Sequence, residues 1–140
     1  MFGHIFLIIG PSGAGKNTLI NELCKENTNL IYIPSFTTRP MRHGDSQGHP
    51  YHFVSEEGFV RRIAHREFFE YQRVHGHSYG TSKRLFSQII ENHQVGITDI
   101  DITGGLEIKH AWPDEITTVF IRPTDNRHID RTAQIQKYRL

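Results

Sequence analysis

Gly10-Pro11-Ser12-Gly13-Ala14-Gly15-Lys16 spaces its glycines and lysine as GxxxxGK. Glycines at these positions let successive backbone N–H groups turn inward around phosphate oxygens, in conformations that side chains would obstruct. A helix starting at the lysine adds the partial positive charge of its N-terminus, and the lysine ammonium adds a point charge. The seven residues, with Asn17 and Thr18 behind them, are candidates for holding the phosphates of a nucleotide. Asn17 stands where the general motif has the Ser or Thr hydroxyl that binds Mg²⁺, and Thr18 comes one residue later. The amide oxygen of Asn17 could serve directly or through water, so the pattern speaks more strongly for phosphate than for metal.

Such a loop works only between a strand and a helix, and the flanking sequence supplies both. His4 to Ile9 (HIFLII) is a continuous apolar run ended by glycine, which predicts a buried strand. Leu19, Ile20 and Leu23 recur at helical spacing and predict a helix over Lys16 to Glu26. Further along, strands are expected over Leu30 to Phe36, Phe68 to His75, Val95 to Ile102 and Ile116 to Ile121. Gly76 and Gly80 break the second of these into a hairpin-like return. Ser55 with Glu56 and Glu57 behind it predicts a capped helix through Phe59, Val60 and Ile63. Other helices are expected from Ser82, over Gly104 to His110, and from Thr124 to the terminus. Thr37 to Pro50 carries two prolines, two glycines and no hydrophobic period, so these fourteen residues read as a loop of functional length. Alternating apolar runs and amphipathic stretches give the fold class: α/β around a mainly parallel sheet.

Composition narrows the function. One hundred and forty residues suit one domain, and the longest apolar run, Ile5 to Ile9, is far too short to cross a membrane. Nothing marks export, so a cytoplasmic protein is expected. Sixteen basic residues against fifteen acidic ones exclude the broad positive field of a duplex-binding protein, so polymeric nucleic acid is not an expected partner, nor is a membrane. Cys24 is the only cysteine and reads as a small buried hydrophobe. His75-Gly76-His77 has a spacing that could hold a metal, but no Cys or acidic companion accompanies it.

Several segments together become familiar: GPSGAGKNTL, SFTTRPMRHGD, YHFVS, EFFEYQRVHGHSYGT and DIDITGG. In order and spacing, from about Ile5 to Ile121, they resemble the nucleotide-binding segments of the guanylate kinase family of P-loop nucleoside monophosphate kinases. The resemblance implies a P-loop NTPase-like parallel sheet flanked by helices, with a small mixed-β GMP-binding subdomain inserted at about residues 36–80. It also implies transfer of the γ-phosphoryl group of ATP to GMP or dGMP, with Mg²⁺. Gly10 through Thr18 would bind ATP, and Lys16, Arg39 and Arg42 would be the catalytic cations. Ser35, Arg39, Arg42, Tyr51, Glu70, Tyr79, Thr81 and Asp101 fall at GMP-binding positions, and Asn17 and Asp99 at the metal.

The chemistry of these types is apt. Arginine forks suit phosphate oxygens. Guanine presents donors at N1 and N2, which call for acceptors such as Glu70 and Asp101, and an adenine in their place would leave buried carboxylates unpaired. Each residue also has a plainer reading: Arg39 and Arg42 as solvated loop charges, Tyr51 and Tyr79 as packing residues, Glu70 and Asp101 as polar-face strand residues.

After Ile121 the resemblance fades. The family continues with an arginine-rich lid, a strand and helices, so residues 122–140 are expected to be a remnant or the start of that part. Five basic residues there face two acidic ones, and Arg127, Arg131 and Arg139 are the candidate lid cations. A shortened lid leaves open a catalytically weak or inactive relative, one that binds nucleotide or a phosphorylated peptide.

Overall fold

A computed structural model describes residues 2–122 and the backbone of Ile135–Lys137. Two compact units emerge, one built from residues 1–32 and 89–140 and the other from Ile33–Gln88.

The first unit is a five-stranded sheet. Its strands are β1 (His4–Ile9), β2 (Leu30–Tyr32), β7 (Val95–Asp99), β8 (Ile116–Ile121) and β9 (Ile135–Lys137), in the order β2-β7-β1-β8-β9. β1 lies parallel to β7 and β8 on its two sides, and β2 lies parallel to β7. A strand paired on both edges within a covered sheet must be apolar on both faces, and HIFLII is. Helix α1 (Lys16–Glu26) covers one face, where Ile20 meets Ile8, Ile97, Val119 and Ile121. Helix α4 (Ile102–Ala111) meets β1 from the other side of its alternation, at Ile9. Gly105 is buried so close to Ile9 that a methyl group there would lie 2.9 Å from the Ile9 side chain.

The second unit is a four-stranded mixed sheet with two helices. β3 (Ser35–Thr37), β4 (Tyr51–Phe53), β5 (Phe68–Val74) and β6 (His77–Ser82) run in the order β4-β3-β6-β5. α2 (Glu56–Ala64) begins as the sequence predicts: Ser55 accepts from the Gly58 N–H at 3.0 Å, with Glu56 and Glu57 in the first turn. α3 (Lys83–Glu91) follows β6 directly. The pleat sorts this sheet by chemistry. Phe36, Phe68 and Gly80 share a face with the buried Phe59 ring of α2, with Phe59 and Phe68 ring centroids 4.7 Å apart. Gly80 belongs there because a methyl group would stand 3.0 Å from the Phe68 ring and 3.1 Å from Phe59.

Several elements differ from expectation. The single strand over Leu30 to Phe36 is two strands in two sheets, β2 and β3. Pro34 between them has no N–H to continue a ladder. Gly80 lies within β6 and does not break it. The strand expected over Val95 to Ile102 stops at Asp99, because the Asp101 carboxylate accepts from the Gly104 N–H at 2.7 Å and starts α4 there. Asp101 is therefore a helix cap and not a polar-face strand residue. Thr124 lies outside the described residues. Where the described backbone resumes, Ile135–Lys137 is a strand antiparallel to β8, so a helix does not run from Thr124 to the terminus.

Phe59 is 2% exposed at the centre of the second unit's apolar face. Phe59→Ala should destabilise that unit by about 3–5 kcal/mol, read as a lowered midpoint in urea unfolding followed by circular dichroism.

Candidate active site

In the first unit, β1 delivers the chain into the glycine-rich loop at its C-terminal end. Gly13 and Gly15 take φ values of 78° and 88°, left-handed conformations that a side chain would strain. Gly15 is also the N-cap of α1, and it caps without a side chain. No acidic residue stands in the first turn either. The first amide groups of α1 therefore keep both their donors and the positive end of the helix dipole for an incoming anion. Lys16, the first residue of α1, folds its ammonium back over the loop, donating to the carbonyl oxygens of Gly10 at 2.8 Å and Pro11 at 3.0 Å. Pro11, Ser12, Asn17 and Thr18 are exposed around it, and Ala14 is half-buried.

The β1–β7 register sets Asp99 beside Ile8, two residues before the loop opens. Burial raises the pKa of the Asp99 carboxyl above the ordinary value of 3.8, against the opposing pull of its backbone hydrogen bond and the Lys16 charge. Asp99 and Asn17 thus offer oxygen donors at the loop, the donor type Mg²⁺ takes, and few protein ligands are what a cation held mainly by phosphates and water requires. Among the described residues no group of three or more His, Cys, Asp or Glu could hold a metal by itself. His75 and His77 belong to the β5–β6 turn, where His75 and Gly76 have φ values of 48° and 82°, the mark of a tight type I′ hairpin.

In the second unit the face opposite Phe59 gathers most of the remaining candidates. Ser35 pairs with Tyr51, Thr37 with Tyr79, and Gln72 with Tyr79. Ser35, Tyr51, Tyr79, Thr81 and Glu70 therefore share one face by alternation. The Thr81 hydroxyl donates to Glu70 Oε1 at 2.6 Å, and the rings of Tyr51 and Tyr79 meet edge to face at 5.6 Å. The buried Thr37 ties β3 to β6 by donating to Ser78 O at 2.9 Å, and it accepts the Arg39 N–H at 3.1 Å. The two arginines differ. The Arg39 side chain is only 8% exposed, with its guanidinium 5.4 Å and 5.3 Å from the ring centroids of Tyr51 and Phe53. Arg42 is exposed. Asp101 belongs to the first unit, where one of its oxygens is occupied by Gly104. Arg127, Arg131 and Arg139 lie outside the described residues.

The guanylate kinase family profile matches residues 3–138 of this chain. The chain belongs to the guanylate kinase family. It is similar to the guanylate kinase of Thermotoga maritima, with 39% identity over 98% of this chain and 65% of the relative. It is also similar to that of Wolinella succinogenes, with 42% identity over 85% of this chain and 55% of the relative. A crystal structure of guanylate kinase from Anaplasma phagocytophilum matches with a TM-score of 0.70 and 28% identity, over 86% of this chain and 60% of that one. The chain thus spans about three-fifths of the length of these relatives. The α/β class and the added mixed sheet agree with a guanylate kinase fold. Among the described residues no helix is long and apolar enough to cross a membrane.

Within this guanylate kinase fold, sequence reasoning passed over Asp45. Its signal lies in Arg42-His43-Gly44-Asp45, where the Asp45 N–H donates to Arg42 O at 3.0 Å and Gly44 has a φ of 90°, the pattern of a type II turn. The loop that holds it is ordered by its own side chains. Gln47 donates to Phe53 O and accepts from Phe53 N–H, each at 2.8 Å, imitating a ladder pair.

Asp99 gives this member of the family a pH signature. Its folded pKa is raised, so the folded chain binds the proton more tightly than the unfolded one. The stability that Asp99 contributes is fully present below pH 3.8 and falls away as pH rises through the folded value. Asp99→Asn removes that fall: its melting temperature should exceed the parent's at pH 7 and converge with it below pH 3.8. A constant difference across that range would place the effect elsewhere.

Proposed function

We propose that the chain transfers the γ-phosphoryl group of ATP to GMP, with dGMP as a second acceptor, giving ADP and GDP. The observation that supports this reading best is the polar face of the second unit. There a carboxylate paired with a hydroxyl, two phenols and a serine lie on one sheet. Carboxylate acceptors suit the N1 and N2 donors of guanine, and phenol hydroxyls with arginine suit a phosphate.

In this reading, Gly10 to Thr18 cradle the triphosphate with amide groups and the α1 N-terminus. Lys16 turns its ammonium from the Gly10 and Pro11 carbonyls toward the β- and γ-phosphates. Arg39 and Arg42, with Tyr51 and Tyr79, hold the GMP phosphate. Glu70, Thr81 and Ser35 read the guanine edge. An oxygen of the GMP phosphate then forms the new bond to the γ-phosphorus as the bond to the ADP oxygen breaks. The acceptor is already ionised, so positioning and charge neutralisation carry the rate. Asn17 and Asp99 would hold Mg²⁺, which when bound neutralises charge on the transferring phosphoryl.

The test is ADP formation by the purified chain with Mg-ATP and GMP, dGMP or AMP. Turnover with GMP should exceed that with AMP by a factor on the order of 10⁴ in kcat/KM. Lys16→Ala should lower kcat about 10²–10³-fold. Equal turnover with AMP would remove guanine recognition from this face, and an unaffected Lys16→Ala chain would remove the loop from the reaction.

A further inference from the structure

The loop between β3 and β4 carries both arginines of the proposed acceptor site, and one oxygen holds them both. Asp45 Oδ2 accepts from Arg39 Nη2 at 3.0 Å and from the Arg42 backbone N–H at 2.8 Å. The Asp45 N–H returns a bond to Arg42 O at 3.0 Å, closing the turn. Arg39 is fixed further by donating from Nη1 to Pro40 O at 3.1 Å and by lying against the Tyr51 and Phe53 rings. The Asp45 side chain is itself 14% exposed. The Arg42 N–H and the Arg39 guanidinium together hold the Asp45 carboxyl below the ordinary carboxylate range, although desolvation opposes them, so the lock is charged at neutral pH.

We propose that Asp45 is a positioning residue for the acceptor phosphate: its carboxylate sets the Arg39 side chain and the Arg42 backbone before the nucleotide arrives. The proposal rests on the GMP-binding reading above. Two physical needs converge on it. A guanidinium this enclosed needs a counter-charge to stay in place. A long, rotamer-rich arginine binds better when its freedom has been removed in advance. Because both contacts end on one oxygen, its loss releases the Arg39 guanidinium and the Arg42 backbone together, whereas the ATP loop is built from other residues.

Calorimetric titration of the full 140-residue chain with GMP, and separately with Mg-ATP, tests this. Asp45→Ala should raise the GMP Kd about tenfold and leave the Mg-ATP Kd within about twofold. Asp45→Asn keeps an oxygen that accepts the same two N–H groups but removes the counter-charge, so its GMP Kd should lie between the parent's and that of Asp45→Ala, about threefold above the parent's. In kinetics the Asp45→Ala loss should fall on the KM for GMP and spare kcat at saturating GMP. A merely structural role would lower the melting temperature without moving GMP affinity in the folded chain, and that result overturns the proposal.

Hydrogen exchange on the parent provides a measurement that no folding failure of a variant can spoil. The Arg42 amide should be protected in the ligand-free chain, and exchange at the rate of an open loop would overturn the pre-set lock. A parent that binds no GMP would instead overturn the proposed function, while the Arg42 amide would still decide whether the lock exists.

Discussion

The first turn of α1 imposes the constraint on which the rest of the first unit depends. The opening amides of a helix have no intrahelical partners. Here the cap is Gly15, which brings no side-chain acceptor. An end with free donors and a lysine at its head is poised for an anion, and it has to be held firmly in place. The sheet does this by pairing β1 on both edges, with α1 against Ile8, Ile97 and Val119 on one face and α4 closely against Ile9 on the other. The same register sets Asp99 beside the strand that enters the loop.

The second unit solves a different problem with the same alternation. Its sheet has one greasy face, covered by Phe59 of α2, and one polar face. Residues two apart in β6, Tyr79 and Thr81, must therefore both point to the polar side once Gly80 points to the apolar side. Glu70 joins them from β5 despite a register irregularity between Phe68 and Tyr71. The arginines reach the site from a loop, and this loop is ordered by side-chain bonds from Asp45 and Gln47 in place of a ladder.

His52 shows how the two faces differ electrically. It stacks on Phe36 at 4.8 Å on the apolar side, where burial and the Arg62 charge both lower its pKa below 6.5. The neutral ring is favoured in the folded state, so this contribution to stability holds above pH 6.5 and is lost as pH falls through the folded value. Arg62 on that face lies 4.5 Å over the Phe36 ring and pairs with Glu67 at 2.6 Å, so it combines packing with charge, as Arg39 does on the loop.

Local chemistry made much of this legible in the sequence. β1, α1 and β8 follow their apolar runs and periods residue for residue, because each is continuous and bounded by glycine, polar or proline signals. The Ser55 cap and the glycine-rich loop were equally readable, since a cap and a loop of this kind depend on residues within a few positions of one another. Contacts between distant residues were not readable in that way. Nothing local says that Leu30–Tyr32 and Ser35–Thr37 enter different sheets, because both read as strand and their partners lie dozens of residues away. Nor does local sequence favour Asp101 as a cap over a strand residue, since that depends on whether Ile102 has a neighbour to pair with. The contact between Glu70 and Thr81 needed the β5–β6 register, and the sharing of one Asp45 oxygen by two arginines needed the folded loop. The sequence by itself determined which chemical groups this protein has and where the elements with continuous local signals, β1, α1, α2 and β8, start. Only the tertiary structure decided which of those groups share a face, because hydrogen-bond register and burial are properties of pairs of segments.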